Sequence, residues 1–216
     1  MQVIEMIADE RRGLADVLVA LTPEQLGTPS LCGAWSVHDV AAHLLMPLVT
    51  GLPTLMLAMV TSAGNFDKAN RVLTARIADR SIQDIAQGLR DQAENPFSPP
   101  GMGIEAALTD LLVHGQDIRR PLGLPRVIPS ERAETSLNFL TGKVPRGFVT
   151  KDRLAGLALS ATDVPFSSGS GAQVTGPAEA LLLVLTGRPV ALADLSGDGV
   201  AVLRGRISPA ADTSGV

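Results

Sequence analysis

The feature that most constrains this chain is the run Leu44–Phe66, which holds no charged residue. A run of this length could cross a bilayer. However, it contains Pro47, Gly51 and Pro53, and no basic cluster flanks it to orient it in a membrane. It also continues directly from a predicted helix that carries His43. We therefore expect a buried helix pair or a kinked helix here, and no membrane span.

Helical periodicity dominates the first 145 or so residues. Helical patterns cover residues 3–21, 37–45, 67–79, 81–95, 104–119 and 130–142. Ser36, with Asp39 three residues on, resembles a capping box and predicts a helix that starts at Val37. The number and length of these helices predict an antiparallel bundle.

The composition changes near residue 150. A turn-rich segment precedes a helical pattern with Pro177 in its first turn and Gly187 at its end. The segment GDGVAVLRGRI, with alternating Val200 and Val202, predicts a turn and an edge strand. The expected fold is mainly α, a helical bundle followed by a small α+β domain. We place the bundle at 1–148, the small domain at 149–208 and a frayed tail at 209–216.

Charge and cysteine content exclude several function classes. The chain has 18 basic against 22 acidic side chains, and it has one cysteine and no tyrosine. It therefore lacks the basic footprint and the stacking aromatics expected of a nucleic-acid binder. One cysteine excludes a disulfide framework and zinc sites built from cysteine pairs. With no signal peptide recognised at the N-terminus, these features favour a cytoplasmic protein.

Asp110 and His114 lie four residues apart on a predicted helix and so share one face. A carboxylate and an imidazole so placed can bind one metal ion, although such a polar stripe can equally face water. His43 lies in an apolar run of another helix. It is either a core histidine held by one hydrogen bond or a third ligand that the bundle brings against Asp110 and His114. Two histidines and one carboxylate suit catalytic zinc or non-haem iron.

The remaining histidine and the cysteine fit other roles. His38 points about 140° away from His43 around the helix, so we expect it at the surface or in the cap. Cys32 is expected to be a small buried apolar side chain rather than a reactive thiol. No phosphate-binding loop, H-E-x-x-H or G-x-S-x-G motif occurs.

Two segments resemble the mycothiol-dependent maleylpyruvate isomerase family. The sequence CGAWSVHDVAAHL, from Cys32 to Leu44, resembles the family's C-x-x-W-[ST]-V-[RH]-D-[LV]-x-x-H-L motif. The segment around His114 and Asp117 resembles its E-x-x-x-H-x-x-D motif. The run from LSATDVP to LSGDGVAVL is similar to the small domain often fused behind the bundle.

The resemblance implies a DinB-like four-helix bundle that holds a divalent metal, usually zinc, with two histidines and one glutamate. These ligands correspond to His43, Asp110 and His114. Position 110 is Asp where the family pattern has Glu, one methylene longer, so metal affinity could fall or the site could be vacant. Asp117 matches the trailing acid and is expected either to orient a ligand or to pair with Arg119 or Arg120.

The resemblance also implies chemistry with the thiol mycothiol. Thiol addition to a cis double bond, rotation and elimination give the trans product. A metal that activates the thiol removes the need for a protein nucleophile, so Cys32 is a landmark of the family. Arg204 and Arg206 either meet an anionic substrate or lie on a solvated edge strand.

Two functions follow from these observations. The first is a metal- and mycothiol-dependent isomerase or S-transferase that acts on a small electrophilic molecule. The alternative is a non-catalytic helical bundle that has lost its metal and binds a small molecule or a partner. Neither function involves nucleic acid or a membrane, and both are compatible with a homodimer.

Overall fold

The computed structural model describes residues 1–99, 101–124, 126–142 and 147–207. Within these ranges the chain is mainly helical, with a small α+β part towards its C-terminal end. The expected fold class is confirmed. Within the described ranges the chain forms two compact units: one consists of residues 1–97 and 114–124, and the other of residues 98–99, 101–113, 126–142 and 147–207. The predicted domain boundary near residue 148 stays a prediction, and the predicted tail 209–216 lies outside the described residues.

The elements follow one another in this order. The helices are α1 (Val3–Val19), α2 (Pro23–Leu26), α3 (Val37–Val49), α4 (Leu52–Thr61), α5 (Phe66–Ala78), α6 (Ile82–Asp91), α7 (Glu105–Arg119), α8 (Ser130–Thr141), α9 (Lys151–Leu154), α10 (Ala178–Leu185) and α11 (Gly199–Arg206). A 3-10 helix spans Pro189–Asp194, and the strands are β1 (Leu157–Ala161), β2 (Ser167–Gly169) and β3 (Ala172–Gly176). The sheet order is β2-β1-β3, with β1 antiparallel to β2 and parallel to β3.

Helix α3 starts where the sequence predicts, because a capping box satisfies its first amides. The Asp39 N–H donates to the Ser36 hydroxyl at 3.2 Å, and the Ser36 N–H donates to the Asp39 carboxylate at 2.9 Å. The helix packs against α5 and α6. A Cβ at Gly88 of α6 would lie 2.8 Å from Leu45 Cδ2, so the bare glycine permits the close approach of α6 to α3.

The uncharged run divides into two helices of different burial. It bends by 120° between α3 and α4, which confirms the expected kink. However, the expected burial is only half right: α3 is largely buried, whereas α4 leaves Leu52, Met56, Leu57 and Val60 exposed. The reason is that α4 packs chiefly against α5.

No single helix within the described ranges is long and apolar enough to cross a membrane. The bent pair of α3 and α4 meets that criterion by length and composition alone.

The expected edge strand near the C-terminal end is wrong, because residues 199–206 form α11. The Asp198 carboxylate accepts from the Gln173 N–H at 2.7 Å, which fixes the start of this helix beside β3. A Cβ at Gly199 would lie 2.7 Å from the Ala172 carbonyl oxygen, so a bare glycine is needed there. Two alternating valines over so short a run did not distinguish a strand from a helix. In this helix Leu203 is the one large side chain that is buried.

Candidate metal centre

Helices α3 and α7 bring two histidines into contact. His43 follows two turns after the capped start of α3 and is 6% exposed, and His114 on α7 is 1% exposed. Their ring centroids lie 4.9 Å apart at an interplanar angle of 75°. The ring of Trp35, in the loop before α3, lies 4.9 Å from His43 on centroids and is tilted by 44°. The capped start of α3 thus places one imidazole against another.

Asp110 completes a group of three donors with these histidines. Its side chain is half-buried and lies one turn before His114 on the same helix. One ligand atom from each of His43, Asp110 and His114 lies within 4.8 Å of the other two. The three residues predicted from the sequence to hold a metal are therefore close together.

The spacing of these donors fits a small divalent metal after modest movement. The centre of an equilateral triangle with sides of 4.8 Å is about 2.8 Å from each corner, whereas zinc binds nitrogen and oxygen at about 2.0–2.2 Å. Side-chain shifts of less than about 1 Å would close that difference. Aspartate at position 110 thus reaches the histidines despite being shorter than glutamate.

A hydrogen bond sets the orientation of His114. Its Nδ1 lies 2.8 Å from the Asp117 carboxylate, and Asp117 is fully buried. Because a carboxylate accepts hydrogen bonds, Nδ1 is the donor and Nε2 keeps its lone pair for a metal. The Asp117 carbonyl accepts from the Leu31 N–H at 3.2 Å, which ties the loop before α3 to α7. Asp117 thus makes the contact expected of a residue that orients a ligand.

A second group of donors includes His114 as well. One ligand atom from each of Cys32, His114 and Asp117 lies within 4.8 Å of the others, and all three residues are buried. Burial of Cys32 agrees with the expectation, but its place beside the His114–Asp117 pair was missed. Cys32 and His114 are far apart in the sequence, and no spacing rule relates them. Both nevertheless lie in the two segments that carry the family resemblance.

The other candidate residues lie elsewhere. His38 is half-buried on the first turn of α3 and belongs to neither group. Arg204 is exposed on α11. The guanidinium of Arg206 donates to the carbonyls of Ala155 at 2.6 Å and Arg153 at 3.2 Å, so it holds the end of α9.

Comparison with known families gives an independent observation. Residues 7–94 match the family described as the mycothiol maleylpyruvate isomerase N-terminal domain. The matched range includes Cys32, Trp35 and His43, and the resemblance predicted from the sequence is confirmed there.

Two solved structures are similar to the chain. One is the crystal structure of the mycothiol-dependent maleylpyruvate isomerase, with a TM-score of 0.48, 14% identity, and coverage of 92% of this chain and 96% of that one. The other is a histidine-to-alanine mutant of that isomerase, with a TM-score of 0.46, 13% identity and the same coverage. No curated protein matches the sequence.

Proposed function

We propose that the chain is a metal-dependent enzyme that uses the thiol mycothiol to isomerise a small electrophilic substrate or to attach the thiol to it. One observation carries the proposal: donor atoms of His43, Asp110 and His114 lie within 4.8 Å of one another. This group lies on α3, within the domain of the isomerase family, and on α7.

The donor types support zinc as the metal. Two imidazoles and one carboxylate are typical of catalytic zinc, where three protein ligands leave a position open. When bound, the metal would supply a Lewis acid that lowers the pKa of a coordinated thiol. In this account Asp117 keeps the His114 ring turned so that Nε2 can bind the metal, and the half-buried Asp110 lies on the side that solvent reaches.

The reactive sulfur comes from the cofactor in this account. Cys32 is buried beside the His114–Asp117 pair, and in this account it takes no part in the reaction. Thiolate addition to one carbon of a conjugated cis double bond leaves a single bond that can rotate. Expulsion of the same thiolate restores the double bond as trans and regenerates the thiol, with no net oxidation or reduction. An S-transferase would stop after addition and protonation.

The alternative function is that of a non-catalytic relative which binds a small molecule or a partner without metal. Asp110 favours it, because the shorter carboxylate stands where the family pattern has glutamate. Metal content and turnover separate the two functions.

The proposal is tested with purified protein loaded with zinc, mycothiol and a panel of small cis-configured, carbonyl-conjugated acids. We expect about one zinc per chain and either a trans product by NMR or a thiol adduct by mass spectrometry. Both should disappear on chelation and in His43→Ala, and both should persist in His38→Ala. Zinc binding without turnover on any electrophile would favour the non-catalytic alternative. Absence of metal after reconstitution would contradict the proposal.

A further inference from the structure

Helix α4 presents an apolar surface that is exposed within the part of the chain that the structure describes. The surface consists of four side chains of α4 and the first residue of α5: Leu52 (69% exposed), Met56 (57%), Leu57 (60%), Val60 (73%) and Phe66 (61%). We call these five residues the α4 surface. Monomeric proteins rarely expose large apolar side chains in one contiguous group, so such a group indicates an interaction site.

The side of α4 that faces solvent carries large apolar side chains. At 100° per residue, Leu52, Met56 and Val60 lie within about 80° of one another around the helix. Ala58 lies on the opposite side and is buried at 4% exposure. A helix that is apolar all round is usually buried all round. Because other helices cover α4 on one side only, we expect a binding partner to cover its exposed side.

We propose that α4 of one copy packs against α4 of a second copy across a two-fold axis. At such an axis each side chain meets its own counterpart, so any charged residue near the axis would face a like charge. The run Leu44–Phe66 holds no charged residue and therefore meets this condition over its whole length. The same absence of charge disfavours a lipid surface, because interfacial helices carry Lys and Arg on their polar face.

The area of the α4 surface is adequate for a reversible dimer. Five large apolar side chains exposed by about three-fifths present on the order of 600 Å² per copy, against about 800 Å² per partner in a standard interface. The flanking Thr54 and Thr61 are also exposed and would add to the rim. An interface of this size belongs to the smaller, dissociable class.

Sedimentation velocity of the full chain over a wide concentration range tests the proposal. We expect the parent protein to shift from monomer to dimer as concentration rises. Val60→Lys, which places a charge within the α4 surface that would have to be desolvated in the dimer, should remain monomeric at every concentration. The matched control is Val202→Lys, the same change at an exposed helical valine of α11 (41% exposed), which should dimerise as the parent does. Circular dichroism verifies that both variants are folded.

Two results would overturn the proposal. One is a parent that is monomeric throughout, and binding of that monomer to phosphatidylcholine–phosphatidylglycerol vesicles would then assign the α4 surface to a membrane. The other is a Val60→Lys variant that dimerises like the parent. The measurement is made with zinc-loaded and with metal-free protein. Because α4 supplies none of the three proposed metal ligands, failure here leaves the proposed catalytic function unaffected.

Discussion

The two groups of donors that share His114 differ in the burial and the hydrogen bonding of their carboxylates. In the first group, of His43, Asp110 and His114, the carboxylate is half-buried and lies one turn before His114. In the second, the Asp117 carboxylate is fully buried and holds the Nδ1 of His114 at 2.8 Å. A metal in the second group would compete with that hydrogen bond. Closeness of donor atoms therefore does not by itself identify a metal site.

Access separates the groups as well. A catalytic metal needs one position open to substrate. Cys32, His114 and Asp117 are all buried, whereas Asp110 in the first group is partly exposed. We infer that the first group binds the metal and that the Asp117 carboxylate orients His114, with Cys32 packed beside that pair. The two groups predict different effects on zinc affinity for substitutions at His43, Asp110, Asp117 and Cys32.

The largest effect is expected for His43→Ala. Removal of one of three ligands should lower zinc affinity by more than the about 10–100-fold that loss of an outer hydrogen-bond partner costs. His38→Ala removes another imidazole of α3 outside both groups and is the control. Competitive titration with a zinc-binding dye measures both. Unchanged affinity in His43→Ala would assign the metal to the second group.

Asp110→Ala should also weaken zinc binding strongly, by more than about 100-fold, since a ligand rather than a supporting contact is lost. Asp110→Glu should restore binding or tighten it, because glutamate is one methylene longer and is the residue of the family pattern. The same titration reads both variants. If Asp110→Ala binds zinc as the parent does, Asp110 is not a ligand.

A smaller effect, about 10–100-fold in zinc affinity, is expected for Asp117→Asn. The amide keeps the shape but removes the charge that holds the His114 ring by its Nδ1–H. If Asp117 were itself a ligand, zinc affinity would fall by more than about 100-fold instead. Thermal unfolding of the metal-free variant serves as the control, because it separates a loss of fold from a loss of ligand orientation.

The smallest effect on metal binding is expected for Cys32→Ala. Zinc affinity should stay within about 3-fold of the parent, since the thiol is not a ligand in this account. Loss of one buried sulfur should lower the free energy of unfolding by about 1 kcal/mol. Chemical denaturation and the dye titration measure the two quantities separately. A large drop in zinc affinity with little loss of stability would make Cys32 a ligand.

Local rules predicted much of the fold and several features of the candidate metal centre. The start of α3 follows from the Ser36–Asp39 cap, and the shared face of Asp110 and His114 follows from their spacing of four. The inward position of His43 follows from its apolar neighbours. Each of these features depends on residues within one helix, where the periodicity of the backbone relates sequence to space.

Features that depend on contacts between distant segments were not predictable. The positions of Trp35 against His43 and of Cys32 beside Asp117 arise from the packing of a loop onto two helices. Composition could not show that α3 would be buried and α4 exposed, since the exposed α4 is the more apolar of the two. Their burial depends on how many helices pack on each of them. The helix α11 was mistaken for a strand because its valines alternate over a few residues only.

The central claim is that zinc binds to His43, Asp110 and His114. Zinc K-edge X-ray absorption tests it most directly, with the chain reconstituted with zinc in the absence of mycothiol or any other added thiol. Only the second group of donors contains a sulfur atom, that of Cys32. The account predicts nitrogen and oxygen scatterers at about 2.0–2.2 Å with two imidazole signatures, and no sulfur shell. A zinc–sulfur distance of about 2.3 Å would contradict it and would place the metal with Cys32.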